Sequence, residues 1–148
     1  MNKLLLPALA ALLALPACGA LDFRQPVKVS HPVRFTPGGV RYQTVYPGTG
    51  EPVAPGSWVR VHYSVDVQGG RPVDSTFTRG IPEEFRMGEA PLDGWNEGLI
   101  GMRPGGRREL VVPSELAYGP NGVDGLVPPG AVLECLVELV DVSATPWP

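Results

Sequence analysis

The side chains that could do chemistry are sparse, and their spacing excludes more than it offers. The 148-residue chain carries two histidines and two cysteines. His31, His62, Cys18 and Cys135 are too scattered for metal-ligand spacing, and there is no Gly-x-x-x-x-Gly-Lys phosphate loop and no Gly-x-Ser-x-Gly elbow. A His-based triad is poorly supplied. The net charge is −3 and Arg107-Arg108 is only a pair, so no basic surface dense enough for nucleic acid is visible. No metal, cofactor or nucleic acid is expected. The stretch that remains is Asp93-Gly94-Trp95-Asn96-Glu97-Gly98-Leu99-Ile100-Gly101-Met102. Trp95 and Leu99 are spaced i, i+4 and share one helical face. Gly101 and Pro104 stop the helix. A lone short helix among strands can bury that face only against a sheet, which makes Trp95 the floor of whatever the sheet wraps.

The elements around it read as strands. Apolar content of 43% allows a packed core, while 19 Gly and 18 Pro call for many turns. Val40–Tyr46 has strand composition. Val59, Val61, Tyr63, Val65 and Val67 alternate with polar residues, so they face inward while His62 lies on the polar face. Gln68-Gly69-Gly70-Arg71 reads as a hairpin turn into a short strand, Arg71–Ser75. Thr76–Pro82 reads as a loop and Glu84–Gly88 as another short strand. Arg107–Val112 is a third clear strand, with Leu110 and Val112 on one face. Pro120–Gly130 is an eleven-residue loop, a length that usually serves function. Ala131–Val142 closes the chain with Leu133, Cys135, Val137 and Leu139 on one face. No internal repeat occurs. The fold class is α+β, an antiparallel curved sheet packed on one short helix.

The N-terminus reads as an address. Lys3 precedes an apolar run, Leu4–Leu15, too short to span a bilayer, which takes about 20 residues. It ends Leu15-Pro16-Ala17-Cys18, which resembles the lipobox of bacterial lipoproteins, whose cysteine is acylated and becomes the new N-terminus. Residues 1–17 are therefore expected to be a lipoprotein signal peptide and Cys18 the lipidation site, anchoring the protein in the cell envelope. By analogy with those lipoproteins, Gly19 after the cysteine would favour the outer membrane in a double-membrane organism. An acylated Cys18 leaves no disulfide within the monomer, and Cys135 becomes a small buried apolar residue. Residues 18–37 carry Pro26, Pro32 and Pro37 and read as a tether, with weak alternation over Val27–Phe35 that allows an edge strand. Residues 38–143 form the domain and 144–148 a loose tail.

Val61-His62-Tyr63-Ser64, Val73-Asp74-Ser75-Thr76, Gly94-Trp95-Asn96-Glu97-Gly98-Leu99, Ala117-Tyr118-Gly119 and Val127-Pro128-Pro129-Gly130-Ala131 follow one another in an order and spacing that resembles the FKBP-type peptidyl-prolyl cis-trans isomerases. The ending Leu133–Leu139 also fits, and the resemblance covers about Val40–Val142. It implies an FKBP-like five- or six-stranded antiparallel sheet wrapped around the helix, with a proline-binding pocket between them. It implies a catalytic set of Tyr63, Asp74, Trp95 and Tyr118. Trp95 lies under the prolyl ring, Tyr63 and Asp74 form a wall, and the Tyr118 hydroxyl meets a substrate carbonyl. Val73, Phe85, Leu92 (through its backbone N–H), Leu126, Val127 and Cys135 bind substrate.

The sequence departs from the family pattern where aromatics are usual. Val73 is aliphatic, Glu83 charged, Cys135 small, and Val123 replaces an aromatic or His; one residue is missing between Gly88 and Trp95. Aromatics give large contact area against a prolyl ring, so a wider pocket with weaker binding of rapamycin-like macrolides and slower turnover is expected. The leading expectation is an isomerase assisting the folding of exported proteins. The alternative is a binding module or chaperone that holds Pro-containing segments without accelerating isomerisation. The expected partners are proline-containing polypeptides and the membrane, and the expected state is a monomer.

Overall fold

The computed structural model describes residues 31–148. The expected signal peptide, Cys18 and most of the tether lie outside these residues. The described elements are β1 (Arg34–Phe35), β2 (Arg41–Tyr46), β3 (Trp58–Val67), β4 (Pro72–Ser75), α1 (Thr76–Arg79), β5 (Glu83–Arg86), α2 (Asp93–Gly98), β6 (Arg107–Val112), a 3-10 turn (Ser114–Leu116) and β7 (Leu133–Ser143).

The strands form one seven-stranded antiparallel sheet in the order β1-β2-β6-β7-β3-β4, with β5 also on β3. The expectation of five or six strands falls short for two reasons. β1, inside the segment read as tether, pairs Arg34 with Tyr42 and Phe35 with Arg41. The outer edge of β3 is shared, β5 taking Trp58–Val61 and β4 taking Ser64–Asp66. The edge strand allowed over Val27–Phe35 is realised at these two residues among those described.

The central strands are ordered by their pattern. Val59, Val61, Tyr63 and Val65 of β3 are buried, as are Leu133, Cys135, Val137 and Leu139 of β7 and Leu110 and Val112 of β6. Val61 lies opposite Leu139, Val65 opposite Cys135 and Leu110 opposite Cys135, so the alternating faces coincide on one side of the sheet. Each such side chain removed from water contributes about 1.5–3 kcal/mol.

Helix α2 fills this concave face. Trp95 and Leu99 are each 1% exposed. The helix is shorter than the expected stretch, ending at Gly98, but Leu99 N–H still donates to Trp95 O at 3.1 Å and the turn runs on to Gly101, whose φ of 80° suits glycine. The close fit has a cause in the sequence. A Cβ on Gly94 would come within 2.5 Å of Val112 Cγ1, and one on Gly98 would collide with Leu110 Cδ2. The two glycines let the helix backbone lie directly on β6. Buried Arg108 of β6 then caps the helix end, donating from Nη1 to Gly98 O at 2.6 Å and Ile100 O at 3.0 Å.

Two further expectations are corrected. Thr76–Arg79, read as loop, is a helical turn closed by Gly80 N–H to Thr76 O at 2.8 Å, with Gly80 left-handed at φ 72°. The tail is not loose throughout, because the Arg60 guanidinium lies 4.5 Å from the Trp147 ring centroid.

Candidate functional site

Trp95, 1% exposed, is packed among aromatic rings on the concave face. Tyr63 meets the indole edge-on, ring centroids 4.8 Å apart at 65°, and Phe85 stacks on it at 6.1 Å and 30°. Offset and edge-to-face pairs of this kind hold ring planes in place. Tyr63 is on β3, Phe85 on β5 and Trp95 on α2, so three elements fix one aromatic floor. Phe85 and Tyr63 are 7% and 6% exposed.

A polar wall stands on this floor. Tyr63 Oη donates to Asp74 Oδ2 at 2.7 Å, and Ser75 N–H donates to Asp74 Oδ1 at 2.8 Å. Arg79 donates from Nη1 to Asp74 Oδ1 and from Nη2 to Tyr63 Oη at 3.2 Å. Burial pushes the Asp74 carboxyl up, but the bonds from Tyr63, Arg79 and Ser75 outweigh it, and the net pKa lies below the usual carboxylate value. Burial, then the hydrogen bond to Asp74, pushes the Tyr63 phenol up to about 12. Asp74 is thus a carboxylate and Tyr63 a neutral hydroxyl across the neutral range.

Thr76 locks this wall from behind. Fully buried, its Oγ1 accepts from Tyr63 N–H at 2.7 Å and donates to Tyr63 O at 3.3 Å, with His62 Nδ1 at 3.2 Å. His62 stacks on Phe77 at 5.4 Å, outside the site, as its place on the polar face requires.

The remaining expected residues lie on β4, at the start of α2 and in the segments after β6. Tyr118 follows the 3-10 turn and is 38% exposed; its hydroxyl has no partner among the described residues. Burial, and then the charges of Asp74 and Cys135, raise its pKa. Leu92 is buried at the N-cap of α2, and its backbone N–H meets no acceptor among the described residues. The loop 120–130 is pinned. Val123 and Val127 exchange N–H···O bonds at 2.8 Å, and Gly130 N–H donates to Gly119 O at 3.1 Å. Val127 is buried within it, whereas Leu126 is half exposed at the edge. Val73, next to Asp74 on β4, packs partly buried against the core.

Cys135 lies beneath, 3% exposed, and burial pushes its thiol up to about 12, making it inert. The Trp95 indole N–H lowers that pKa slightly but finds no acceptor in hydrogen-bond geometry. Glu83 lies close enough for its charge to raise the Tyr63 pKa. Val73, Glu83 and Cys135 are the positions at which the sequence departs from the aromatics expected there. Among the described residues no cluster of His, Cys, Asp or Glu could hold a metal.

Arg79 and Thr76 belong to the site and were not singled out in the sequence. The signal was Asp74 followed five residues later by Arg79 and then Gly80, which the helical turn converts into a contact. A groove of about 280 Å³ has Gln43, Ser64, Asp66, Glu109 and Glu134 among its lining, on the strand faces that alternate with the core.

The arrangement offers an apolar floor, one carboxylate held ionised, one free hydroxyl and one free N–H, with no activated nucleophile. Residues 49–140 match the family model described as FKBP-type peptidyl-prolyl cis-trans isomerase. The chain is 38% identical over 125 residues to the FKBP-type peptidyl-prolyl cis-trans isomerase FkpA of Escherichia coli K12, covering 84% of this chain and 46% of that protein. It is 37% identical over 106 residues to an FK506-binding protein of Neisseria meningitidis serogroup B, covering 71% of this chain and 97% of the relative. The crystal structure of Escherichia coli FkpA superposes with a TM-score of 0.69 at 40% identity, over 76% of this chain and 53% of that one. The chain thus spans about half the length of the Escherichia coli relative and nearly all of the Neisseria one.

Proposed function

This chain belongs to the FKBP-type peptidyl-prolyl cis-trans isomerase family, and from that premise we propose that it accelerates rotation about Xaa-Pro bonds in proteins folding outside the cytoplasm. The observation that carries the reading is the Tyr63–Asp74–Arg79 network standing on the Trp95 floor. The uncatalysed barrier is about 18–20 kcal/mol because the planar amide must lose resonance. The twisted amide has a ketone-like carbonyl and a pyramidal nitrogen, and it is less polar than the planar ground state. A water-poor apolar cavity therefore binds it more tightly than the substrate, which is the requirement for catalysis.

In this reading the prolyl ring lies on Trp95 between Phe85 and Val127. The Tyr118 hydroxyl and the Leu92 N–H donate to carbonyls of the bound segment. Asp74, fixed by Tyr63 and Arg79, faces the rotating amide as a held carboxylate. Val73, Leu126 and Cys135 bound the space for the ring and its neighbours. A coupled-proteolysis or exchange NMR assay on Xaa-Pro peptides with the mature chain tests this. Acceleration over buffer that is lost in Asp74→Ala and Trp95→Ala, with fold retained, supports it; a rate equal to buffer overturns it. The missing aromatics at Val73, Glu83 and Cys135 favour a second reading, a holder of Pro-containing segments. Client protection unaccompanied by any rate acceleration is the outcome that selects it.

We also propose that Cys18 is acylated, that residues 1–17 are removed, and that the protein acts as a monomer anchored in the cell envelope, in the outer membrane where there are two. The apolar run Leu4–Leu15 followed by Leu15-Pro16-Ala17-Cys18 supports this. Cys18→Ser should abolish acyl labelling and release the protein from the membrane fraction; persistence in that fraction counts against it.

A further inference from the structure

A second cleft gathers cationic side chains and, among the described residues, no carboxylate. It has a volume of about 310 Å³ and lies where the chain enters the fold, with His31, Arg34, Tyr42, Thr44, Arg103 and Arg108 among its walls. Arg108 is 7% exposed and makes no ion pair among the described residues. Its Nη1 is taken by the end of α2, its Nε is buried without a partner among the described residues, and its Cζ lies 4.6 Å from the Tyr42 ring centroid. Burial and then the nearby Arg34 charge lower its pKa, with Tyr42 opposing. It nevertheless remains a cation. His31 Nε2 is also buried without a partner among the described residues, and its carbonyl is fixed by Gln43 Nε2 at 2.7 Å. Arg103 donates to the Gly50 carbonyl, and neither it nor Arg34 pairs with a carboxylate among the described residues.

Burying a guanidinium without counter-charge is costly, and such groups ordinarily meet an acid. The counter-charge that this cleft lacks can be supplied by a ligand. A tetrahedral oxyanion presents oxygens in several directions and can meet three guanidinium groups at once, which one carboxylate cannot; the planar Arg fork also suits phosphate. We propose that this cleft binds a phosphate group, borne by a lipid headgroup or free in solution. The position gives the headgroup a physical basis. Twelve residues separate Cys18 from His31, so an acylated Cys18 would keep the cleft within about 45 Å of the bilayer. The proposal uses none of the residues assigned to the proline site and does not depend on isomerase activity.

The test is calorimetric titration of the full-length protein with inorganic phosphate, with glycerophosphoglycerol as the soluble headgroup diester, and with acetate at matched ionic strength. Saturable 1:1 binding of phosphate is expected, weakened about three- to tenfold in Arg34→Gln and in Arg103→Gln. Arg71→Gln, in the distant β3–β4 hairpin, should leave it unchanged. Thermal melts of each variant confirm the fold, and these exposed sites avoid Arg108, which caps α2. Binding of the diester as well as phosphate supports the cleft and assigns it to a headgroup; binding of phosphate alone supports it and assigns a free anion. No saturable binding, equal loss in Arg71→Gln, or acetate binding as tightly as phosphate overturns the proposal.

Discussion

Tyr63 holds its hydroxyl between an acceptor, Asp74, and a donor, Arg79. Tyr63→Phe removes both bonds and leaves the carboxylate short of one donor, so isomerase turnover should fall about tenfold in the peptide assay while the fold persists. Arg79→Ala should raise the Asp74 pKa toward the usual carboxylate range, which a carbon-13 NMR titration reads directly. The pH dependence follows from the two shifts. The depressed Asp74 contributes stability that is present above its unfolded pKa and is lost as pH falls through its folded pKa. The raised Tyr63 contributes stability that is present below about 10 and is lost as pH rises toward about 12. Unfolding free energy measured against pH should therefore be flat from these groups across the neutral range and fall at both ends. A neutral-range step traced to Tyr63 by Tyr63→Phe would contradict the site geometry. Tyr63, Asp74 and Trp95 were legible because each lies in a motif with characteristic neighbours. Arg79 was not, because its contact arises only when the chain turns back after Thr76.

Helix α2 is a short element that survives because its glycines let it touch the sheet. A six-residue helix is not stable alone, so its stability comes from packing. Gly98→Ala forces the new methyl into Leu110 and should cost about 1–3 kcal/mol in urea denaturation, although alanine is the better helix former. Leu99→Ala, on the fully buried face, should cost about 2–5 kcal/mol. Loss of isomerase activity should follow in Gly98→Ala by displacement of Trp95. The helix and the three long strands were legible, since periods of 3.6 and 2 show over their lengths. The helical turn α1 was not, since four residues carry no readable period, and β1 showed only as the weak alternation over Val27–Phe35.

At the scale of the whole molecule the two ends behave unlike their composition. The last residues fold back so that Trp147 covers Arg60, which itself pairs with Glu84 at 2.6 Å. Trp147→Ala should lower stability by about 0.5–1 kcal/mol, read as a small shift in urea midpoint with unchanged slope. At the other end β1 stitches the approach segment onto β2, and His31 and Arg34 enter the wall of the basic cleft. The sequence by itself determined the alternating faces, the buried helix stripe and the motif order, because these depend on local period and on residues within a few positions of one another. Tertiary structure alone decided that β4 and β5 share one edge of β3, that Arg79 reaches Tyr63 and Asp74, and that Arg34, Arg103 and Arg108 line one cleft with no carboxylate among the described residues. These are contacts between residues distant in the chain or on opposite sides of a turn, fixed by sheet register and by how closely α2 can approach, and no local pattern encodes them.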